Sequence, residues 1–369
     1  MKTTITRLLK ILALIIPVAL FVFFVQTNIF CHLDQSTERI RRFYLEEENS
    51  LDVVFMGASE VPTGFAPGLA YRDYGFTSYM YTIDANPGSL YKYQLKEILS
   101  TQNPQAIVVE INGFLYNDGY QSQEVRLRTF TENIPYSLNR LEAIHNFDTD
   151  DKISVVFPFI KYHGDWIKGN RLVETYNWKN REANGPALLK GITTCTLIAP
   201  YDPSAVHSDG TPNAEIAKEY LVDFLEFVKK ENLSNLIFVR YPHRSAAAHS
   251  DAVSQVEQVL AQYGHTLLNL ETCVDKIGLD FDKDFFNDEH VNIYGMEKLT
   301  AYLGNYLAEV VLDNPIRQSA QNAQHWSECA DAYEVFRAYA YDRTEKGIET
   351  WPGEEPYEVG LIRAWLAES

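Results

Sequence analysis

Four short runs, Val53 to Met56, Ala106 to Ile111, Leu236 to Tyr241 and Thr266 to Leu270, limit what this chain can fold into more than any other feature. Three of them are almost continuously Val, Ile, Phe or Leu. A strand with one wet face would alternate polar and apolar residues, so these runs suit strands buried on both faces. Between them lie segments of helical character: Ser89 to Ser100, where Leu90, Tyr93, Leu95, Ile98 and Leu99 are apolar, then Asn213 to Asn232 and Ser250 to Gly264. Strand, helix and strand in succession imply a parallel sheet, so the expected class is α/β. Residues 115–200 break that rhythm with Tyr, Asn, Trp and Phe among scattered Pro and Gly, and read as an insertion between the halves of the sheet. A further helix is expected after His290, from Met296 to Leu312. The tail, 313–369, holds Trp326, Tyr333, Phe336, Tyr339, Trp351 and Trp365, too many aromatic rings for a free linker, and is expected to pack back on the domain as a helical extension.

The N-terminus is of another kind. Residues 1–10 carry Lys2, Arg7 and Lys10 and no acid, and from Ile11 to Val25 every residue is apolar or Pro17. Between Leu8 and Cys31 only Lys10 and Gln26 to Asn28 interrupt the apolar stretch, which approaches the ~20 residues needed to cross a bilayer. The exit, Gln26-Thr27-Asn28-Ile29-Phe30-Cys31, lacks the small residues of a cleavage site, so an uncleaved transmembrane signal anchor is expected. By the positive-inside rule the basic flank is expected to stay in the cytoplasm, which places residues from about 32 onward on the extracytoplasmic side of the cell membrane. Three regions follow: 1–31 the flank and anchor, 32–312 the α/β domain with its insertion, and 313–369 the extension.

Composition narrows the partners. With 46% apolar and 22% charged residues, 19 Gly and 15 Pro in 369 residues, the chain is neither disordered nor a low-complexity array. Acidic residues outnumber basic ones 50 to 32, a formal charge of -18, and without a basic patch such a chain repels nucleic acid. The four cysteines, at 31, 195, 273 and 329, have no zinc-like spacing; two could pair in an exported protein, or all could be buried thiols. Asp280, Asp282 and Asp284 alternate like the start of a calcium loop, but Phe285 stands where Gly is required and Val291 where the bidentate Glu belongs. No metal or cofactor is expected.

Two places carry residues suited to chemistry. In Phe55-Met56-Gly57-Ala58-Ser59-Glu60 a serine follows a buried strand, and the carboxyl ends of strands in an open α/β sheet are where ligands sit. Serine is also a common helix N-cap, and the GxSxG elbow is not satisfied because Val61 takes its last position. Far along the chain, Asn287-Asp288-Glu289-His290 places a histidine with acidic neighbours just before the last core helix.

A Gly-x-Ser after the first strand and an Asx-x-x-His before the last helix resemble the SGNH (GDSL-like) hydrolase superfamily. The likeness is to its membrane-anchored envelope branch, which includes the DltD-like and alginate O-acetylation proteins. Its residues are Leu-Asp-Val-Val-Phe-Met-Gly-Ala-Ser at 51–59, Tyr-Gly-Phe-Thr-Ser-Tyr at 74–79, the Asn-Pro step into a Val-rich strand at 103–110, and the patch of Tyr162, His163 and Trp166. The match spans about 1–310. It implies a three-layer α/β/α sandwich with a parallel central sheet, Ser59 as acyl-carrying nucleophile and His290 as its base.

Set against that pattern, the Asp expected three residues before the histidine is Asn287, with Asp288 one place later, so the third member is either of them. An Asn can accept from the imidazole but does not stabilise the imidazolium, and Asp288 could reach only across a non-helical turn. Oxyanion donors are sought in the Glu60 backbone N–H, the Gly88 amide or Asn86 side chain, and Asn112 of Glu110-Ile111-Asn112-Gly113. Tyr162, His163 and Trp166 read as an aromatic surface for sugar rings. Resemblance thus implies a membrane-tethered acyl esterase or O-acyltransferase acting on an envelope polysaccharide, beside a membrane-bound O-acyltransferase as partner. The alternative is an inactive SGNH-like domain kept for glycan binding or for assembling an envelope complex.

Overall fold

The computed structural model describes residues 2–164, 185–204, 215–312 and 314–352. Helix α1 (Lys2–Asn28) and α2 (Gln35–Phe43) precede a five-stranded, all-parallel sheet. Its strands are β1 (Val53–Gly57), β2 (Ser78–Thr82), β3 (Ala106–Glu110), β4 (Leu236–Arg240) and β5 (Leu267–Asn269), in the order β2-β1-β3-β4-β5. In register, Val53 stands opposite both Ser78 and Ala106, and Val109 opposite Phe238. The sequence showed four of these strands. The fifth, β2, reads Ser-Tyr-Met-Tyr-Thr and has no aliphatic run, yet all five of its residues are buried.

Among the described residues, helices connect and flank these strands. After β1 come α3 (Glu60–Gly64) and α4 (Pro67–Tyr74), and α5 (Tyr91–Thr101) joins β2 to β3. The long connection from β3 to β4 carries α6 (Asp118–Gln121), α7 (Glu124–Thr131), α8 (Leu138–Asn146), α9 (Lys152–Val156) and α10 (Pro158–Tyr162), then α11 (Lys218–Lys230). Next are α12 (Ala246–Gln262), the short α13 (Val274–Ile277), α14 (Ile293–Tyr306) and α15 (Ala320–Glu345). Helix α14 starts at Ile293 rather than Met296 because the Asn292 side chain accepts from the Tyr294 and Gly295 amides and caps it.

Successive residues of a strand point to opposite faces, and here both faces are covered. Val54, Met56, Ile107, Val109 and Phe238 enter one core with Leu95 and Ile98 of α5, Phe224 of α11 and Val256 of α12. Val53, Phe55, Val108 and Val239 enter a second with Val61 of α3, Leu69 of α4, Leu299 of α14 and Phe336 of α15. This explains the unbroken apolar runs, each full burial contributing about 1.5–3 kcal/mol. Trp326 and Tyr333 of α15 are buried in these cores, and α15 lies so close on α4 that a Cβ at Gly68 would stand 2.7 Å from the Cys329 carbonyl oxygen. Beyond α15 the chain runs beside residues 194–196, with Thr196 N–H donating to the Thr350 oxygen at 3.0 Å and Thr194 N–H to Pro352 at 3.2 Å. No disulfide joins any two of the four cysteines, three of which are buried.

Helix α1 is long and apolar enough from Thr4 to Gln26 to cross a membrane. Its exit is fastened to the domain: Glu132 accepts from His32 N–H at 2.6 Å, Asp34 from the Thr129 hydroxyl at 2.6 Å, and the His32 carbonyl from Asn133 at 2.9 Å. Asp34 also caps α2 through the amides of Ser36 and Thr37. Burial opposes its charge, but the bonds to His32 and Thr129 outweigh that and hold its carboxyl at about 2.

Candidate active site

All five strands run the same way, so their carboxyl ends share one edge, and a series of polar residues stands there. Ser59 and Glu60 follow β1, Asn86 follows β2, Glu110 ends β3 with Asn112 after it, Arg240 ends β4 with His243 after it, and Glu271 follows β5. The loop 287–290 supplies His290 just before α14.

Ser59 occupies the N-cap position of α3 but makes no capping hydrogen bond. Its Oγ lies 2.8 Å from His290 Nε2 instead. On the other side of the ring, His290 Nδ1 is 3.0 Å from Asn287 Oδ1. That oxygen also accepts from the backbone N–H of Glu289 at 2.9 Å and of His290 at 2.7 Å. Two backbone donors can face only the oxygen of the carboxamide, so its orientation, and with it the imidazole tautomer, follows: Nδ1 carries the proton and Nε2 is free to accept from Ser59. Of the two residues considered for the third position, Asn287 takes it. Asp288 points elsewhere, its Oδ1 3.0 Å from an Arg244 nitrogen. Phe286 stacks on the His290 ring at 5.4 Å, and Trp351 packs edge-on against Phe286 at 5.1 Å, so the tail reaches the site.

Behind Ser59 lies a buried network of charges. Glu60 turns away from the serine: its Oε1 accepts from Asn112 Nδ2 and lies 3.4 Å from His243 Nε2. His243 Nδ1 is 3.1 Å from Glu271, which also accepts from Arg240 Nε at 3.0 Å, and Arg240 Nη1 donates to Asn112 Oδ1 at 2.8 Å. Glu110 accepts from the amides of Asn112 and Ala58. Burial and the Arg240 charge oppose a proton on His243, but bonds to Glu271 and Glu60 outweigh them and raise its pKa. Burial likewise opposes charge on Glu60, yet the His243 bond and the charges of His290 and His243 hold its carboxyl down. Burial, then repulsion from Glu60, pushes Glu110 up. Near neutral pH the network therefore holds Glu60 as an anion and Glu110 protonated, and each buried carboxylate oxygen engaged here faces a hydrogen-bond donor of Asn112, His243, Arg240 or the backbone. An uncompensated buried charge would be far more costly.

The expected oxyanion donors are mostly committed. Asn86 is fully buried, its Nδ2 donating to the Gly57 carbonyl at 3.0 Å and to Gln94 at 2.8 Å, so it fastens the loop after β2 to β1. Asn112 divides its Nδ2 between Glu60 and the Tyr116 hydroxyl, the latter at 3.2 Å. The Glu60 backbone N–H helps hold its own carboxylate. Gly88 is buried in a tight turn where a Cβ would stand 2.5 Å from Phe114 Cδ1. Tyr162 does not present a ring face for sugars: it is buried against Val25 and Phe30 at the exit of α1, its hydroxyl 3.1 Å from Glu132. His163 is exposed beside it, with Nδ1 2.7 Å from the Ile160 carbonyl oxygen. Trp166 lies outside the described residues.

Sequence reasoning missed Glu110, Arg240, His243 and Glu271 as site neighbours. The signal was present: Ala-Ile-Val-Val-Glu and Leu-Ile-Phe-Val-Arg each end a doubly buried strand on a charged residue, which then needs a partner across the sheet. No family model and no curated protein matches the sequence.

Proposed function

We propose that this protein is a membrane-anchored serine acyl-ester enzyme of SGNH-like design, an esterase or O-acyltransferase that handles an acetyl or similar group on a cell-envelope polysaccharide outside the cytoplasm. The observation that carries the reading is the relay from Ser59 Oγ through both nitrogens of His290 to Asn287 Oδ1, at the carboxyl edge of a parallel sheet. Nε2 takes the Ser59 proton as Oγ bonds to the ester carbonyl carbon. The resulting imidazolium returns that proton to the departing alcohol, leaving an acyl-serine, and water or a sugar hydroxyl then takes the acyl group by the same steps in reverse. Asn287 holds the tautomer, and the Glu60 carboxylate supplies the negative charge that a neutral Asn287 lacks. With Asn86, Asn112 and the Glu60 amide engaged, the Ser59 and Gly88 amides are the donors assigned to the oxyanion.

The basic flank of α1 orients the domain to the outer side, and the resemblance supplies the glycan and a membrane-bound O-acyltransferase as partners. A second reading, an inactive SGNH-like domain that binds glycan or assembles an envelope complex, is favoured by one observation: both Nδ2 hydrogens of Asn112 are engaged by Glu60 and Tyr116. The two separate on acid-quenched full-length protein after exposure to p-nitrophenyl acetate. An enzyme carries one acetyl group on the Ser59 peptide, absent from Ser59→Ala; an inactive domain stays unmodified.

A further inference from the structure

The insertion carries large apolar side chains that the fold leaves uncovered. Leu138 is 85% exposed, Ile153 69%, Phe157 49%, and Leu141 and Ile160 45% each. Ile153 on α9, Ile160 on α10 and Phe157 at the break between the two helices are exposed within a short run of chain, and Leu138 and Leu141 stand three apart on α8, which packs on α9. Scattered exposed apolar residues need no explanation, but a contiguous group marks an interaction surface.

The place of this face says what covers it. The residues between and beside its members grip the membrane-spanning helix. Phe159 packs on Phe30 at 5.9 Å and Tyr162 on Val25, while Tyr136, two residues before Leu138, packs at a tilt on Phe23 at 5.0 Å and accepts from Gln26 at 2.8 Å. Gln26 ends the apolar span and Phe23 lies one turn inside it. Past the end of α1 the chain turns back, with Ile29 and Phe30 N–H donating to the Val25 carbonyl at 2.8 and 3.1 Å, so Phe30 stays beside the end of the span. Tyr136 therefore sits at the level of the membrane boundary, where tyrosines are favoured, and α8 to α10 lie within the headgroup layer. The joint is stiff, because His32, Asp34 and Asn133 bind the exit of α1 to α7.

We propose that the face formed by Leu138, Leu141, Ile153, Phe157 and Ile160 rests in the lipid headgroup layer of the same bilayer that α1 crosses, so that the domain is held at a fixed attitude to the membrane by two contacts rather than hung on a tether. The proposal rests on the membrane-anchor reading of α1. Amphipathic faces of this kind sink into the boundary between headgroups and acyl chains.

The test uses full-length protein in nanodiscs of phosphatidylcholine and phosphatidylglycerol, on a Cys273→Ser background because that thiol is only half-buried. Spin labels are placed by Leu138→Cys, Phe157→Cys and Ile160→Cys, with Leu14→Cys inside the span and exposed Asp251→Cys on α12 as references. The expected result is relaxation by oxygen several-fold stronger, relative to a water-soluble nickel chelate, at 138, 157 and 160 than at 251, approaching the ratio at 14. Labels at those positions that behave as at 251 overturn the proposal while leaving the anchor intact. Labels shielded from both reagents also overturn it and indicate a protein partner on this face. A water-like Leu14 label defeats the anchor reading and this inference together.

Discussion

Replacing Asn287 separates its two duties, holding the tautomer and answering the charge. Its Oδ1 accepts three hydrogen bonds, from His290 Nδ1 and from two backbone amides of the same loop. At about 1 kcal/mol each, Asn287→Ala removes about 3 kcal/mol of local order and frees the ring to flip or take the other tautomer. Triads that lose the tautomer lose about 10⁴ in turnover, so labelling of Ser59 by a fluorophosphonate is expected to slow by about 10²–10⁴. Asn287→Asp keeps the accepting oxygen and adds charge. A hydrogen bond to a charged group is worth about 1 kcal/mol more than a neutral one, which is about fivefold in rate. The same carboxylate favours the imidazolium that forms as Nε2 takes the Ser59 proton. The assay is the labelling rate by gel fluorescence between about pH 5 and 9, with circular dichroism to confirm folding. Asn287→Ala labelling as fast as the parent, or Asn287→Asp falling to the level of the alanine variant, would refute the reasoning.

Other consequences concern the buried charges. Glu60→Gln keeps an acceptor for Asn112 but removes the carboxylate charge behind the relay; labelling should slow about tenfold, and an unchanged rate would exclude Glu60 as the counter-charge. Glu110 has a raised pKa in the folded protein, so between the ordinary carboxyl range and about pH 8 the unfolded chain releases a proton that the folded chain keeps, and stability falls as pH rises. Thermal melts of Glu110→Gln should lack that decline, from a lower starting stability because its NH2 cannot accept as both carboxyl oxygens do from the Asn112 and Ala58 amides. Lys190 and Glu46 form a fully buried ion pair at 2.7 Å, so Lys190→Met alone should cost about 3–5 kcal/mol by denaturant titration, most of it recovered in Glu46→Leu with Lys190→Met.

The parts of the fold legible in the sequence were those that write a periodic pattern. β1, β3 and β4 show as apolar runs because both faces of the sheet are covered, while β5 at the sheet edge is only half-buried and shows through Leu267 and Leu268. β2 does not, since Tyr79 and Tyr81 reach one core while Met80 enters the other and the Ser and Thr beside them carry no aliphatic signal. Ser59 and His290 were legible because each stands at a strand end or a helix start. Whether Asn287 or Asp288 completes the relay was not, because adjacent loop residues differ only in direction, and here Arg244 draws Asp288 away. Tyr162 misled for a related reason: an aromatic residue in an irregular segment looks the same whether it faces a ligand or, as here, the exit of α1. The Glu60 network was hidden because its members come from β1, β3, β4 and β5 and meet only when the strand order β1-β3-β4-β5 is known.

The most direct test of the central claim is fluorophosphonate labelling of the full-length protein beside Ser59→Ala and His290→Ala, with the adduct mapped by peptide mass, because the probe needs an activated serine and no knowledge of the substrate. The account predicts a single adduct on Ser59, none in Ser59→Ala and labelling slower by about a hundredfold or more in His290→Ala. A folded protein that never labels, or one that labels at another serine, would contradict it.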